Sequence, residues 1–293
     1  MVIVRLIGGL GSQMSEYAYA KVLEKKGYNV KIDTSLYEFY TLHGGYQLDK
    51  YNIDLEHSTK KENNKYFSNY FIIKILNKIL NKIGISDLSS KVVEESSHLF
   101  DQKLLNIDDE SYVIGDFFSE KYFKDIRNIL LKQFITKDSP SNYMKSMEAK
   151  ILGAANSCCI HVRRGDYFNN KKVNKVHGVC SPDYYHNAVE YIQSKVGCAQ
   201  YFVFSNDIEW CKKNLKIDNV TYMENKERKS PHEDMHLMSS CQHNIIDHSS
   251  FCWWGAWLNQ NSNKIVVAPQ RWFSNEKLQK QSRDIYCEDW VKI

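Results

Sequence analysis

The stretch MVIVRLIGGLGSQMSEYAYAKVLEKKGYNVKID, residues 1–33, decides the fold class. Val2 to Ile7 is short and β-branched, a composition that favours a strand. Gly8, Gly9 and Gly11 make a turn that leads into a helix from about Gln13 to Lys26. Gly27 stops that helix, and Val30 to Ile32 form the next strand. Strand, helix and strand in this order make a βαβ unit, which predicts a parallel sheet. The opening also lacks the long apolar run and small-residue cleavage site of a secretory leader.

The alternation continues outward from this unit. Glu38 to Asp54 is irregular and rich in Tyr, and His43, Gly44, Gly45 and Tyr46 mark it as a loop facing a ligand. Residues 60–95 form a Lys/Asn-rich helical insert, in which Ile72, Ile75, Leu76, Ile79, Leu80 and Ile83 recur at helical spacing. Lys74, Lys78 and Lys82 form a stripe on another face. That stripe reads as a solvated helix face, or as a basic surface resting on anionic lipid. Val113 to Phe117 is a further strand, with a helix expected from Glu120 to Phe134 and a hinge over Thr136 to Ser141. After it the pattern repeats. Strands are expected at Ser157–Val162, Tyr201–Ser205, Asn219–Tyr222, Asn244–Asp247 and Ile265–Ala268. Helices are expected at Ser181–Lys195, Ile208–Leu215, Asp234–Cys241 and Trp253–Asn259. Two α/β domains follow, over residues 1–140 and 141–293.

Composition narrows the function. The chain has 293 residues, 43% hydrophobic and 13% aromatic, enough for two real cores and too much for global disorder. With 39 basic and 35 acidic residues the net charge is +4, too balanced for a nucleic-acid binder. No stretch approaches the roughly 20 apolar residues that span a bilayer. Eight cysteines without C-x-x-C pairing read as reduced core thiols of a cytoplasmic protein.

Four segments can carry chemistry. In CIHVRRGDYF, residues 159–168, a buried strand delivers His161, Arg163, Arg164, Asp166 and Tyr167 to the sheet's carboxyl edge. An arginine there can grip a diphosphate, or can pin a loop through Asp166. In YFVFSNDIEWC, residues 201–211, Asn206 and Asp207 stand where a carboxylate can read a guanine edge, or where both merely cap a helix. In residues 232–258, Ser249, Ser250 and Phe251 open a helix, a ready anion site. Trp253, Trp254 and Trp257 within it read as core, and Asp247 with His248 makes a weak metal pair lacking a third ligand. GGLGSQM, residues 8–14, permits close backbone approach but fits neither a dinucleotide fingerprint nor a P-loop.

Together these segments resemble glycosyltransferase family 11, the α-1,2-fucosyltransferases. GGLGSQM matches the family's GGLGNQM, and His161, Arg163, Arg164, Asp166 and Tyr167 match H-x-R-R-x-D-Y. Phe204 to Asp207 with Trp210 match a third motif, and Leu237 to Leu258 match the long carboxyl-terminal signature. The resemblance implies a GT-B architecture, two Rossmann-like domains facing a central cleft. It implies inverting transfer of L-fucose from GDP-β-L-fucose to the 2-hydroxyl of a terminal β-galactose in a bacterial surface glycan such as an O-antigen. No cofactor and no metal are implied, in agreement with the absence of a D-x-D motif.

Residue by residue, Arg163 would hold the β-phosphate with support from His161, and Asp207 would read guanine. Gly9, Gly11, Gln13, Arg164, Asn206, Ser249, Ser250 and Phe251 would complete the donor side, and Ser12, His43 and Tyr46 would face the acceptor. Ser12 stands where the family has Asn, and Asn206 where it has Asp. Asp166 is the candidate base, although its two arginine neighbours equally favour a structural role. A transferase using another nucleotide sugar, and an inactive nucleotide-binding homologue, are the alternative readings. The expected location is the cytoplasm, with peripheral contact at the inner face of a bacterial inner membrane.

Overall fold

The computed structural model describes residues 1–67, 74, 91–165, 168, 170–224 and 231–293. The chain divides into two compact units, Met1–Ile135 and Thr136–Ile293.

In the first unit, β1 (Val2–Arg5), β2 (Val30–Asp33), β3 (Glu56–His57), β4 (Val92–Glu94) and β5 (Tyr112–Ile114) form a parallel sheet in the order β3-β2-β1-β5-β4. The helix Leu10–Lys25 follows β1 directly, and nearly all its residues up to Leu23 are buried. A helix buried all round must satisfy its polar groups internally. Lys21 does so through Asp54 at 2.7 Å and Glu24 at 2.8 Å.

The strand expected at Val113–Phe117 ends at Ile114. Phe117 turns to φ +48° and is fully buried, its ring stacked 3.7 Å from that of Tyr19. The helix expected from Glu120 breaks into two short turns before Arg127–Gln133, because buried Phe123 adopts φ −136°. Lys74 pairs with Glu94 at 2.8 Å. Lys78, Lys82 and the isoleucine-rich helix expected around them lie outside the described residues.

In the second unit, β6 (Ser157–Val162), β7 (Gln200–Ser205), β8 (Val220–Tyr222), β9 (His243–Ile245), β10 (Val266–Ala268) and β11 (Val291–Lys292) pair in parallel, in the order β11-β10-β9-β6-β7-β8. From β6 the chain first builds outward to β7 and β8, then returns to place β9, β10 and β11 on the other side. The strand order therefore reverses between β6 and β9. Such a switch point opens a crevice at the strands' carboxyl ends, where ligands bind.

The helix Asn142–Gly153 was not expected. Ser141, within the presumed hinge, caps it by accepting the Met144 N–H at 3.1 Å. Trp253, Trp254 and Trp257 are core residues, at 4%, 0% and 2% exposure, and Trp253 also contacts Trp290. The eight cysteines are free thiols; seven are buried and Cys198 is exposed. Among the described residues, no helix is long and apolar enough to cross a membrane. The α/β class and the paired parallel sheets expected of a GT-B chain are thus present.

Candidate functional site

At the switch point of the second unit, β6 ends in buried His161 and Val162, and the chain continues into Arg163 and Arg164. Across from it, β9 runs through Ile246 into Asp247, His248 and Ser249. Ser249 caps the helix Ser250–Leu258 by accepting the Phe251 N–H at 3.3 Å, and the Phe251 ring lies 5.7 Å from His161. A capped helix start presents free backbone amides and a positive dipole end, the chemistry that binds phosphate.

Asp247 joins the two loops. Its Oδ1 lies 3.2 Å from His161 Nδ1 and accepts from the Cys252 thiol at 3.2 Å, while Oδ2 accepts the backbone N–H of Arg163. Burial pushes this carboxyl up, but the charge and hydrogen bond of His161, with His248 and the Arg163 amide, outweigh burial and hold it below the usual carboxylate range. Asp234, facing His161, differs. Burial raises it to about 7, against the opposing pull of His161.

The neighbouring strand end organises Arg164. Its guanidinium carbon sits 4.1 Å from the Phe168 ring centroid and 4.3 Å from that of Trp210, and its Nε lies 3.6 Å from Asp207 Oδ2. Asp207 Oδ1 caps the helix Ile208–Asn214 through the Trp210 N–H at 3.3 Å. Asn206 Oδ1 accepts the N–H groups of Arg164 and Gly165 at 2.9 and 3.1 Å. Capping and loop-holding, the plainer reading of this turn, are thus both present. Its Asp207 carboxylate remains partly accessible, at 35% exposure.

The first unit gathers the remaining residues at the carboxyl end of β1. Gln13 is fully buried; its amide donates to the carbonyls of Gly8 and Gly45, and its Oε1 accepts from Gln47 N–H at 2.9 Å. It staples the glycine turn to the His43–Tyr46 loop. A side chain on Gly9 would come within 3.3 Å of His43 Cβ, so the two loops touch here and a larger residue would require His43 to give by a few tenths of an ångström. Ser12 lies beside Gly8, Gly11 is buried in the first helical turn, and Tyr46 stands 5.8 Å from Tyr37 and 5.5 Å from His57. Beside β5, Glu95 accepts the N–H groups of Asp116 and Phe117, and burial raises it to about 7.

The candidate residues therefore form two groups, one in each unit, while Asp166 lies outside the described residues. Asp247 and Phe168 had been missed as site members. A carboxylate directly before Ser249 was visible, but its partner His161 is 86 residues away and declares itself only in the fold. Among the described residues, two groups each bring three possible metal ligands within 4.8 Å: His161, Asp247 and Cys252, and Glu95, His98 and Asp116. In the first, burial pushes the Cys252 thiol well up, so it stays protonated and serves Asp247 as a donor.

Parallel α/β units with an arginine pair and a capped helix start at a switch point offer the chemistry that binds phosphate. The model of glycosyl transferase family 11 matches residues 1–293, and the chain belongs to that family. It is the family that the sequence motifs resemble, and it makes the chain a glycosyltransferase. An alpha-1,2-colitosyltransferase of Escherichia coli is 37% identical over 306 residues, covering 100% of this chain and 99% of the relative. The O-antigen biosynthesis glycosyltransferase WbnK of Escherichia coli is 29% identical, covering 98% and 99%. Among solved structures, the fucosyltransferase NodZ from Bradyrhizobium superposes with a TM-score of 0.49 at 12% identity, over 87% of this chain and 91% of that one.

Proposed function

We propose that the chain transfers L-fucose from GDP-β-L-fucose to the 2-hydroxyl of a terminal β-galactose, with inversion and without a metal ion, in building a bacterial surface glycan. One observation carries the reading. Asp247 locks the Arg163 loop to the start of the helix Ser250–Leu258, so an arginine and a set of helix-start amides converge at the switch point. That pairing supplies fixed positive potential for a diphosphate leaving group, the part a metal plays in other transferases.

In this reading Arg163 and the amides near Ser249, Ser250 and Phe251 take the charge that develops as the sugar–phosphate bond breaks. His161, oriented by Asp247, supports them, and Asp207 recognises guanine. The first unit serves the acceptor through Ser12, His43 and Tyr46, with Gly9, Gly11 and Gln13 shaping the loop beside the donor. Asp166 is the proposed base. The protein works in the cytoplasm at the inner face of the membrane, where lipid-linked glycans are assembled.

The colitosyltransferase relative favours a second reading, in which colitose is the sugar transferred. Colitose is L-fucose lacking one hydroxyl, so a single contact separates the two.

Purified protein given GDP-fucose, a β-galactoside and EDTA should release GDP faster with the acceptor than without it. Absence of that acceptor dependence with both sugar donors removes the transferase reading, and restoration only by added Mg²⁺ or Mn²⁺ removes metal independence. Arg163→Ala should reduce turnover by roughly a hundredfold or more while leaving thermal unfolding unchanged. Near-normal turnover by that variant would overturn the phosphate assignment.

A further inference from the structure

The Arg164 cluster has a shape that its hydrogen bonds alone do not require. The guanidinium carbon lies over two rings, that of Trp210 at 4.3 Å and that of Phe168 at 4.1 Å from the centroid. Trp210 is half-buried and belongs to the helix that Asp207 caps. Arg164 itself is only 14% exposed, and Asp207 holds it from the side at 3.6 Å. Phe168 sits one helical turn after Arg164, its N–H donating to the Arg164 carbonyl at 2.6 Å. Yet Phe168 remains 54% exposed, one of the few large apolar side chains left open to solvent. A cation held over two aromatic rings and paired with a carboxylate has little freedom to follow a phosphate. It is well placed to fix the outer ring.

We propose that Phe168 is the stacking surface for the purine base of the nucleotide sugar, with Arg164 acting as a positioning residue that holds both Phe168 and Asp207. This deepens the GDP-sugar reading and rests on it. Three features on the page converge. Phe168 offers an aromatic ring, 54% exposed, in the segment that follows the carboxyl end of β6. Asp207 offers a partly exposed carboxylate beside it, an acceptor for the paired N–H groups along one edge of guanine. Arg164 contacts both, so ring and carboxylate keep a fixed relation. A stack gives affinity for any base, and the carboxylate then selects the base that donates on its edge. The sequence expectation that Arg164 belongs to the donor side takes, in this proposal, the form of a role in base recognition.

The test compares GDP, UDP and inorganic pyrophosphate binding by calorimetry, using the full chain and three variants. Phe168→Ala should weaken GDP roughly tenfold and leave pyrophosphate unchanged, since base–aromatic stacking contributes on that scale. Phe168→Tyr, which keeps the ring, should bind GDP as the parent does. Arg164→Lys, which keeps the charge but loses the planar stack, should weaken GDP and spare pyrophosphate. Unchanged GDP affinity in Phe168→Ala overturns the proposal. So does an equal loss of GDP and pyrophosphate, which would make Phe168 a prop for the phosphate loop. If the parent protein prefers UDP while Phe168→Ala still loses it, the guanosine reading fails and the stacking surface stands. A parent protein that binds neither nucleotide sinks both.

Discussion

Asp247 receives His161, the Arg163 amide and the Cys252 thiol on one carboxylate that is 1% exposed. A buried charge with this many donors is held ionised, and removing its capacity to accept leaves donors unmatched. Asp247→Asn should therefore cost about 1–3 kcal/mol of stability. Turnover should fall more than the affinity for the acceptor, because the Arg163 loop loses its fixed relation to the helix start. A thermal melt beside a kcat and KM determination checks both parts; parent-like kcat in a destabilised protein would reduce Asp247 to a structural role. Arg163 was legible from sequence because a strand end followed by arginines is a local pattern. Asp247 was not, because the His161 that it braces lies 86 residues away and only the fold brings them together. Asn206 and Asp207 show the same limit, since capping and ligand reading demand the same residue types at the same turn.

The helix Pro231–Ser240 shows what one element contributes. Glu233 accepts the Ser141 N–H and hydroxyl at 2.9 and 3.0 Å, and His236 lies 2.5 Å from Glu148, so it grips the helix Asn142–Gly153 twice. From the same helix Asp234 faces His161, with its carboxyl raised to about 7 by burial. The folded chain therefore keeps that proton up to about pH 7, while the unfolded chain releases it near the ordinary Asp value of 3.8. Stability from this group is complete below pH 3.8 and is lost as pH rises toward and through 7. Asp234→Asn removes the titration. Its melting temperature relative to the parent should climb by a few degrees between acid and pH 8, and a constant difference across that range would contradict the raised carboxyl. The alternation of strands and helices was readable because β-branched runs and glycine stops are local. The helix Asn142–Gly153 was hidden because Asp138, Ser139, Pro140 and Ser141 read as a hinge, whereas Ser141 is the cap that starts the helix.

At the scale of the molecule, two parallel sheets each carry candidate residues on their carboxyl edges, and family membership extends over the whole chain. That much was present in four motifs, because motif residues cluster where strands end. The sugar donor was less legible: fucose and colitose differ by one hydroxyl, and no residue pattern in a single sequence marks that difference. The proposed membrane-surface location makes a separate prediction. Anionic vesicles should sediment the protein better than neutral ones, and salt should release it, since surface charges are screened over about 10 Å at 0.1 M. Lys74 already pairs with Glu94, so Glu94→Gln should strengthen that binding. Equal sedimentation with both kinds of vesicle would place the protein away from lipid.

The distribution of thiols has a practical corollary for watching the enzyme at work. Cys198 lies at the start of β7, between the helix Pro182–Val196 and Gln200, whereas Asp207 lies past the opposite end of that strand. A six-residue strand is about 20 Å long. A maleimide fluorophore should thus react once per native chain, at the amino edge, and leave the carboxyl-edge chemistry undisturbed. The unaltered protein carries its own single labelling point, from which the proposed binding of nucleotide to the second unit can be followed by fluorescence.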